Sequence, residues 1–317
     1  MSQSSTMTRT QVPGETPAPA ARRRKPLRDS AWWALLFVGP TALGLIAFYF
    51  WPILRTGYMS LTTTGAFGGE TWVGISNFVQ LFTTPDLLGA TWNSALFTLV
   101  ALLGIPLAIV IASLLNTPGL KGRSLYRVLY FVPVVTMPAA IALVWAFIYN
   151  GDYGVLNQVL HVVGIQGTSW LANPSTALLA VAVVSIWSTI GTNIVIFVAG
   201  LQGIPTSLYE AASLDGAGPT RRFFSVTLPL LSPSVFFVSV ITVIGALQVF
   251  DLLYVMIPTG SPAKQATMTI VSLFYEVGFI RNQRGVAAAI AIVLMVIILI
   301  LTAIQFRLQR RWVHYEY

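Results

Sequence analysis

Residues 286–306 read VAAAIAIVLMVIILILTAIQF, a run without one charged side chain. A helix needs about 20 apolar residues to cross the hydrocarbon core of a bilayer, and this run supplies them. Five more stretches qualify: 32–54, 93–115, 128–149, 177–201 and 235–257, of which only the last holds a charge, Asp251. Nothing in the chain shows the sustained two-residue alternation of a membrane barrel. In lipid only a helix satisfies its own backbone within one segment, so each run is expected to be helical. The sequence predicts an all-α integral membrane protein with six transmembrane helices.

Composition agrees. Of 317 residues 56% are hydrophobic and only 9% charged, and the mean hydropathy is +0.76. A soluble domain carries about 25% charged residues, so a soluble globular enzyme is excluded. The 12% aromatic content excludes a disordered or fibrous chain. The absence of cysteine removes disulfides, thiolate metal sites and cysteine nucleophiles. His161 and His314 lie too far apart in sequence to suggest a metal cluster, so no metal is expected. A net charge of +8 would point to nucleic acid in a soluble protein. Here membrane topology accounts for it, and no nucleic-acid partner is expected.

Lysine and arginine gather on the cytoplasmic side of membrane proteins. Fourteen of the eighteen lie in the N-terminal tail, the second and fourth connections and the C-terminus; Arg55, Lys264, Arg281 and Arg284 lie opposite. Both termini are therefore expected in the cytoplasm. Residues 1–29, rich in Ser, Thr, Pro and Arg, read as a disordered basic cytoplasmic tail. A cleaved signal peptide competes for the tail and first run, but that run exceeds the 7–15 residues typical of a signal core. Residues 30–317 read as one six-helix domain. Pro40, Pro106, Pro133 and Pro138 are expected to kink their spans.

The connection between the fourth and fifth spans reads GIPTSLYEAASLDGAGPTRRFFSVTLP from Gly203 to Pro229. Ser207 and Glu210 have the spacing of a capping box, which would start a helix there. Gly216 can take the left-handed conformation that ends it. Gly218-Pro219 can open a second short helix. A two-turn helix is too short to stand alone in water and needs the rest of the chain or a partner. Ala211, Ala212 and Gly216 leave room for a facing surface, Leu208, Tyr209 and Leu214 are apolar anchors, and Glu210 and Asp215 offer carboxylates to cations. On spacing alone, an ordinary helical hairpin loop competes equally with a docking surface.

Glu210-Ala211-Ala212, Gly216, Val226 and Leu228-Pro229 resemble the cytoplasmic Glu-Ala-Ala signature of ABC importer permeases, with Val226 where Ile is commoner. Further resemblance to the carbohydrate branch, the maltose- and glycerol-phosphate-type permeases, lies in Trp51-Pro52, Gly74-Ile75-Ser76-Asn77-Phe78, Asn93, Phe131-Val132-Pro133 and Phe250-Asp251-Leu252-Leu253-Tyr254. It covers roughly Ala31 to Arg311. The resemblance implies the type I importer, or MetI-like, permease fold in a bacterial or archaeal plasma membrane. Two permease subunits, usually different, would form the pore, two ATPase subunits would bind ATP and Mg, and an extracytoplasmic binding protein would deliver the solute. By resemblance, residues 205–218 form the coupling helix, with Tyr209, Glu210, Ala211, Ala212, Leu214, Asp215, Gly216 and Pro229 as ATPase-coupling residues. This chain has no GxxxxGK[ST] phosphate loop and is expected to bind no cofactor.

A solute path needs polar groups at membrane depth. Thr189, Thr192 and Asn193 are spaced to share a face of the fourth span, and Gln248, Asp251 and Tyr254 to share one on the fifth. Intramembrane polar groups normally face the bundle interior or a cavity. Sugars require amides, carboxylates and aromatic faces, which makes Trp187, Asn193, Gln248 and Tyr254 candidates. Interhelical packing is the competing reading for Thr189, Thr192 and Asn193, and interface anchoring or packing for Trp187. Asp251 must be paired, protonated or watered, in a gate, an assembly contact or a sugar contact.

An intramembrane enzyme would need a nucleophile–base pair or metal cluster, and no span contains a histidine. An ion-coupled secondary transporter would not need a docking signature. The resemblance alone favours carbohydrate import, and the lack of Lys or Arg inside any apolar run favours a neutral sugar over a glycerol-phosphate ester.

Overall fold

The computed structural model describes residues 30–65, 68–117 and 119–313. The expected tail and His314 lie outside them. The chain divides into two units, 1–52 and 53–317. The first is described as the helix Ser30–Leu45, with Pro40 inside it, and the π-helical turn Ile46–Phe50.

The second unit is helical apart from one hairpin among the described residues, in which Thr62–Thr64 pairs antiparallel with Glu70–Trp72. Asn77 holds the hairpin's root. Its buried side-chain amide donates to the carbonyls of Ser60 at 2.8 Å and Thr62 at 2.9 Å. Among the described residues, four helices are long and apolar enough to cross a membrane: Leu35–Met59, Pro85–Leu115, Ala177–Gln202 and Arg284–Trp312. The number rises to six if each of two bent pairs counts as one span: Leu125–Val135 with Pro138–Ile148, and Pro219–Leu230 with Ser232–Leu247.

The kinks expected at Pro138 and Pro106 are present, whereas Pro40 and Pro133 lie inside helices; the break within 235–257 was not expected. The run 128–149 is broken by 102°. Pro138 crowds the backbone of the residue before it and drives that residue out of the helical region. Met137 accordingly has ψ 131°, and Thr136 has ψ 137°. The run 235–257 is divided as well. Helix Ser232–Leu247 ends, Phe250 takes φ −141° and ψ −57°, and a separate helix, Asp251–Met256, begins. Burial explains the second break: Leu252, Leu253 and Met256 pack into one cluster with Ile141, Ala142, Val181 and Val184. A straight continuation of the helix would redirect those side chains. The second run starts at Pro85 rather than Asn93 and is interrupted at Leu103. Pro106 cannot donate to the carbonyl of Leu102, and its ring crowds that carbonyl.

Two further clusters hold the unit together. One joins Leu81, Leu87 and Ala90 to Ile270, Leu273, Val277 and Ile290, so helix Ser76–Thr83, the start of Pro85–Leu102, the segment 270–280 and the start of Arg284–Trp312 pack as a group. The other joins Ile105, Ala108 and Ile109 to Ile194, Phe197, Leu201, Ile204, Leu231 and Val238. Lipid tails are as apolar as leucine, so helices in a bilayer are held by close van der Waals packing and small residues rather than by exclusion of water. Gly191 shows this. A Cβ there would collide with the Tyr130 carbonyl oxygen and lie 2.7 Å from Val134 Cγ2. Gly245, by contrast, faces open space.

Gly191→Ala is expected to destabilise the folded protein by about 1–3 kcal/mol through overpacking. Gly245→Ala should be neutral or stabilising by up to about 1 kcal/mol, because alanine is the better helix former. Thermal unfolding of the two variants in the same detergent checks the contrast.

Candidate functional site: an exposed hairpin and a dispersed polar path

The segment singled out by its sequence folds as a helical hairpin. Pro205, with φ −59° and ψ 132°, takes the N-cap conformation itself, and the helix runs Thr206–Leu214. Ser207 is therefore the second residue inside the helix and not its cap. No side-chain cap bond forms, which corrects the expected capping box. The other end follows the sequence. Gly216 has φ +73°, its N–H donates to the Ser213 carbonyl at 3.1 Å, and the Ala217 N–H donates to Ala212 at 2.9 Å. This pair of bonds is the Schellman closure, which satisfies carbonyls that a helix end leaves open. Gly218 then caps a second short helix, Pro219–Arg222, with proline in its first turn. A π-helical turn, Phe223–Thr227, leads into Leu228–Leu230 and, past Leu231, into Ser232–Leu247.

None of the residues of helix Thr206–Leu214 is buried. Leu208, Glu210, Ala211, Leu214, Asp215 and Gly216 are exposed, Leu214 by 90%. Tyr209 and Ala212 are half-buried. Pro229 is set apart from this face, half-buried in the return segment. Two side-chain ties cross the hairpin. The Tyr209 and Thr227 hydroxyls are hydrogen-bonded at 3.1 Å, and Arg222 Nη1 donates to Ser213 Oγ at 2.9 Å. Ser213 Oγ in turn donates to the Tyr209 carbonyl at 2.7 Å. Behind the helix lies a cleft of about 660 Å³, lined among others by Asn116, Gln202, Tyr209, Arg222 and Thr227. Sequence reading missed Ser213, Arg222 and Thr227 as parts of this site; the only signal was the four-residue spacing of Tyr209 and Ser213.

The candidate polar path is dispersed. Trp187, Thr189, Thr192 and Asn193 all lie on helix Ala177–Gln202. Thr189 and Thr192 are exposed, but Asn193 is only 8% exposed, so the three do not share one environment as expected. Thr189 Oγ1 donates to the Ser185 carbonyl at 2.8 Å, which ties its proton to its own helix. Trp187 stands edge-on to Trp145, their centroids 5.5 Å apart. The break at Phe250 removes the common helical face expected for Gln248, Asp251 and Tyr254. Gln248 ends one helix and lines an apolar groove of about 440 Å³ with Phe274, Leu294 and Met295. Asp251 opens the next helix, is exposed, and makes no ion pair among the described residues. Tyr254 belongs to an aromatic cluster with Phe250 and Tyr275, each pair of rings about 5.1 Å apart. The same cluster borders a cleft of about 290 Å³ that includes Lys264 and Glu276. Tyr275 and Glu276 come from the segment 270–280, and the 235–257 pattern gave no hint of them.

Cations around that cleft are matched by carboxylates. Lys264 lies 3.4 Å from Glu276, and Arg281 lies 3.7 Å from Glu276 and 3.6 Å from Asp86. Among the described residues no group of acidic or histidine side chains is arranged to hold a metal.

Residues 104–314 match the family described as "binding-protein-dependent transport system inner membrane component". The probable ABC transporter permease protein YesP of Bacillus subtilis (strain 168) is 34% identical over 306 residues, covering 94% of this chain and 97% of that protein. The sn-glycerol-3-phosphate transport system permease protein UgpA of Yersinia pestis bv. Antiqua (strain Antiqua) is 35% identical over 297 residues, covering 92% and 99%. Among solved structures, a chain of a bacterial ABC transporter involved in import of the acidic polysaccharide alginate superposes with a TM-score of 0.78 at 24% identity, covering 90% of this chain and 96% of that one. A second structure of a bacterial alginate ABC transporter, in complex with an alginate pentasaccharide-bound periplasmic protein, gives 0.78 at 23% identity, covering 90% and 95%.

Gly216→Val forces a β-branched residue into the left-handed region at a cost of roughly 1–2 kcal/mol. Amide exchange at Ala217 should quicken about tenfold, whereas Gly216→Asn, which tolerates that conformation, should leave it near the wild-type rate. Hydrogen–deuterium exchange over peptides spanning 206–222 reads the difference.

Proposed function

We propose that this chain, which belongs to the family of inner membrane components of binding-protein-dependent transport systems, is one of two permease subunits of an ATP-driven importer of carbohydrate. Helix Thr206–Leu214 is its docking element for a partner ATPase. The observation that carries this reading is a two-turn helix with no buried residue, closed at Gly216 and bearing Glu210-Ala211-Ala212 on its length. Such a helix is too short to persist without support, and a large apolar side chain as bare as Leu214 favours a partner. ATP and Mg belong to the two ATPase subunits, an external binding protein delivers the solute, and a second, different permease completes the pore. The basic connections and both termini face the cytoplasm.

The transport cycle requires two packings of similar free energy that nucleotide-bound and nucleotide-free ATPases favour differently. Solute passes Trp187, Thr189, Thr192, Asn193, Gln248, Asp251 and Tyr254 through hydrogen bonding and aromatic stacking. A neutral sugar fits this set best: none of the apolar runs 32–54, 93–115, 128–149, 177–201, 235–257 and 286–306 carries a lysine or arginine, and Lys264 and Arg281 are already matched by carboxylates. Import of a glycerol-phosphate ester is the second reading, supported by the relation to UgpA proteins.

The test uses the whole assembly, purified through a tag on this chain and reconstituted with its binding protein. ATP-dependent uptake of labelled disaccharide, competed by unlabelled sugar and not by glycerol phosphate, is expected; the reverse competition selects the second reading. Glu210→Lys or Gly216→Trp should leave the spans assembled and cut uptake at least tenfold. Full uptake by both variants would show that this helix does not dock the ATPase.

A further inference from the structure

We infer that Thr227, with Ser213 and Arg222, is the strut through which force on helix Thr206–Leu214 reaches the bundle; this rests on that helix being the ATPase docking element. No residue of the helix is buried and only Tyr209 packs against the core, so packing alone does not hold it. At its start the chain is anchored by Ile204, which lies in the cluster with Ile194, Phe197 and Leu231. Beyond that point the helix is gripped on one side. Tyr209 and Ser213, four residues apart and so on one face, reach Thr227 and Arg222 respectively. A single tie would let the helix pivot. Two ties one turn apart resist rotation as well as displacement.

Thr227 is where the grip enters the core. It is 7% exposed and ends the π-helical turn Phe223–Thr227. Its carbonyl accepts from the Leu231 N–H at 2.9 Å. Leu231, 1% exposed, marks the 65° bend into Ser232–Leu247 and packs in the cluster with residues of Ala177–Gln202 and Gly104–Leu115. Displacement of Tyr209 thus acts on a residue one turn from the bend, and the bend is wedged between two long helices.

Arg222 adds a bias. Its Nη1 bonds Ser213, but its Nε is buried without a partner among the described residues. An unsatisfied buried donor raises the free energy of the packing that contains it. A rotation of the hairpin that gives Nε an acceptor would be favoured by that difference. The π-helical turn beside it is the kind of local irregularity found at functional sites.

Tyr209 faces both partners in this scheme, so the test rests on residues behind it. Thr227→Val keeps the shape and removes the hydroxyl, Thr227→Ser keeps the hydroxyl, and Ser213→Ala removes the second tie at an exposed position. In reconstituted assemblies, the number of ATP molecules hydrolysed per solute transported should rise about fivefold in Thr227→Val. It should rise two- to threefold in Ser213→Ala and return to within twofold of wild type in Thr227→Ser. Crosslinking of Glu210→Cys to the ATPase, measured in each background, separates the two ideas. A wild-type ratio in both Thr227→Val and Ser213→Ala with crosslinking intact overturns the strut and leaves docking in place. No crosslinking even with Thr227 and Ser213 unchanged overturns docking and the strut together. Should Thr227→Val not assemble, Ser213→Ala alone decides: a ratio equal to wild type overturns the strut.

Discussion

A peptide group in hydrocarbon has no water to bind, so each backbone N–H and C=O must find a partner inside the protein. That constraint makes the apolar runs helical, and it also decides how they are allowed to break. Where this chain interrupts a helix, side chains and turns collect the freed groups. Thr136 Oγ1 donates to the Val132 carbonyl at 2.6 Å, just before the 102° bend. Ser232 Oγ donates to the Pro229 carbonyl at 2.6 Å, beside the 65° bend. At the third break, Val249 N–H turns back to Ala246 and Gln248 N–H to Gly245. The first turn of Ile270–Tyr275 is served from another helix, its Ile270 N–H donating to Ser94 Oγ at 3.0 Å while Asn93 donates to the Met268 carbonyl. Asn93, which the sequence marked as the start of a span and as a point of family resemblance, is one of the groups that satisfies this arrangement.

Helices that are broken and yet satisfied can be repacked, and an importer needs that property. Straight helices joined only by leucine-like surfaces would have no preferred register. Here Gly191 brings two helices to backbone contact, and the segments after the bends at residues 136–137 and 231 pack into two of the three clusters. In the connections, ordered polar groups do what packing does within the bundle. Asn157 donates to the Gly151 and Thr168 carbonyls and accepts from Trp170 Nε1, which closes the 150–176 connection on itself. The ion pairs of Asp86 and Glu276 with Arg281 join the start of one long helix to the segment before another.

The exposed hairpin is the opposite case. Its helix Thr206–Leu214 has no buried residue and touches the core only through half-buried Tyr209; it is closed at one end, anchored at the other and tied from the side. An element so placed moves as one piece. That suits the proposed coupling role better than a flexible loop would, since a loop absorbs displacement that a braced helix passes on.

Sequence alone was sufficient for features governed by local sterics or by total apolar length. The membrane-spanning character follows from the length of the apolar runs, and the left-handed closure at Gly216 and the restart at Gly218-Pro219 from a few adjacent residues, whatever surrounds them. Three-dimensional competition decided the rest. Composition sees 235–257 as continuous, but burial of Leu252, Leu253 and Met256 against distant helices outweighs helix continuity there. A capping pattern at Ser207 and Glu210 was overridden because Pro205, next to the buried Ile204, already supplied the extended residue that a helix start requires. Helical spacing placed Thr189, Thr192 and Asn193 together, yet the burial of Asn193 alone depends on which neighbours approach that side. The Tyr209–Thr227 bond joins residues eighteen positions apart across a turn, and only the folded hairpin brings them within reach.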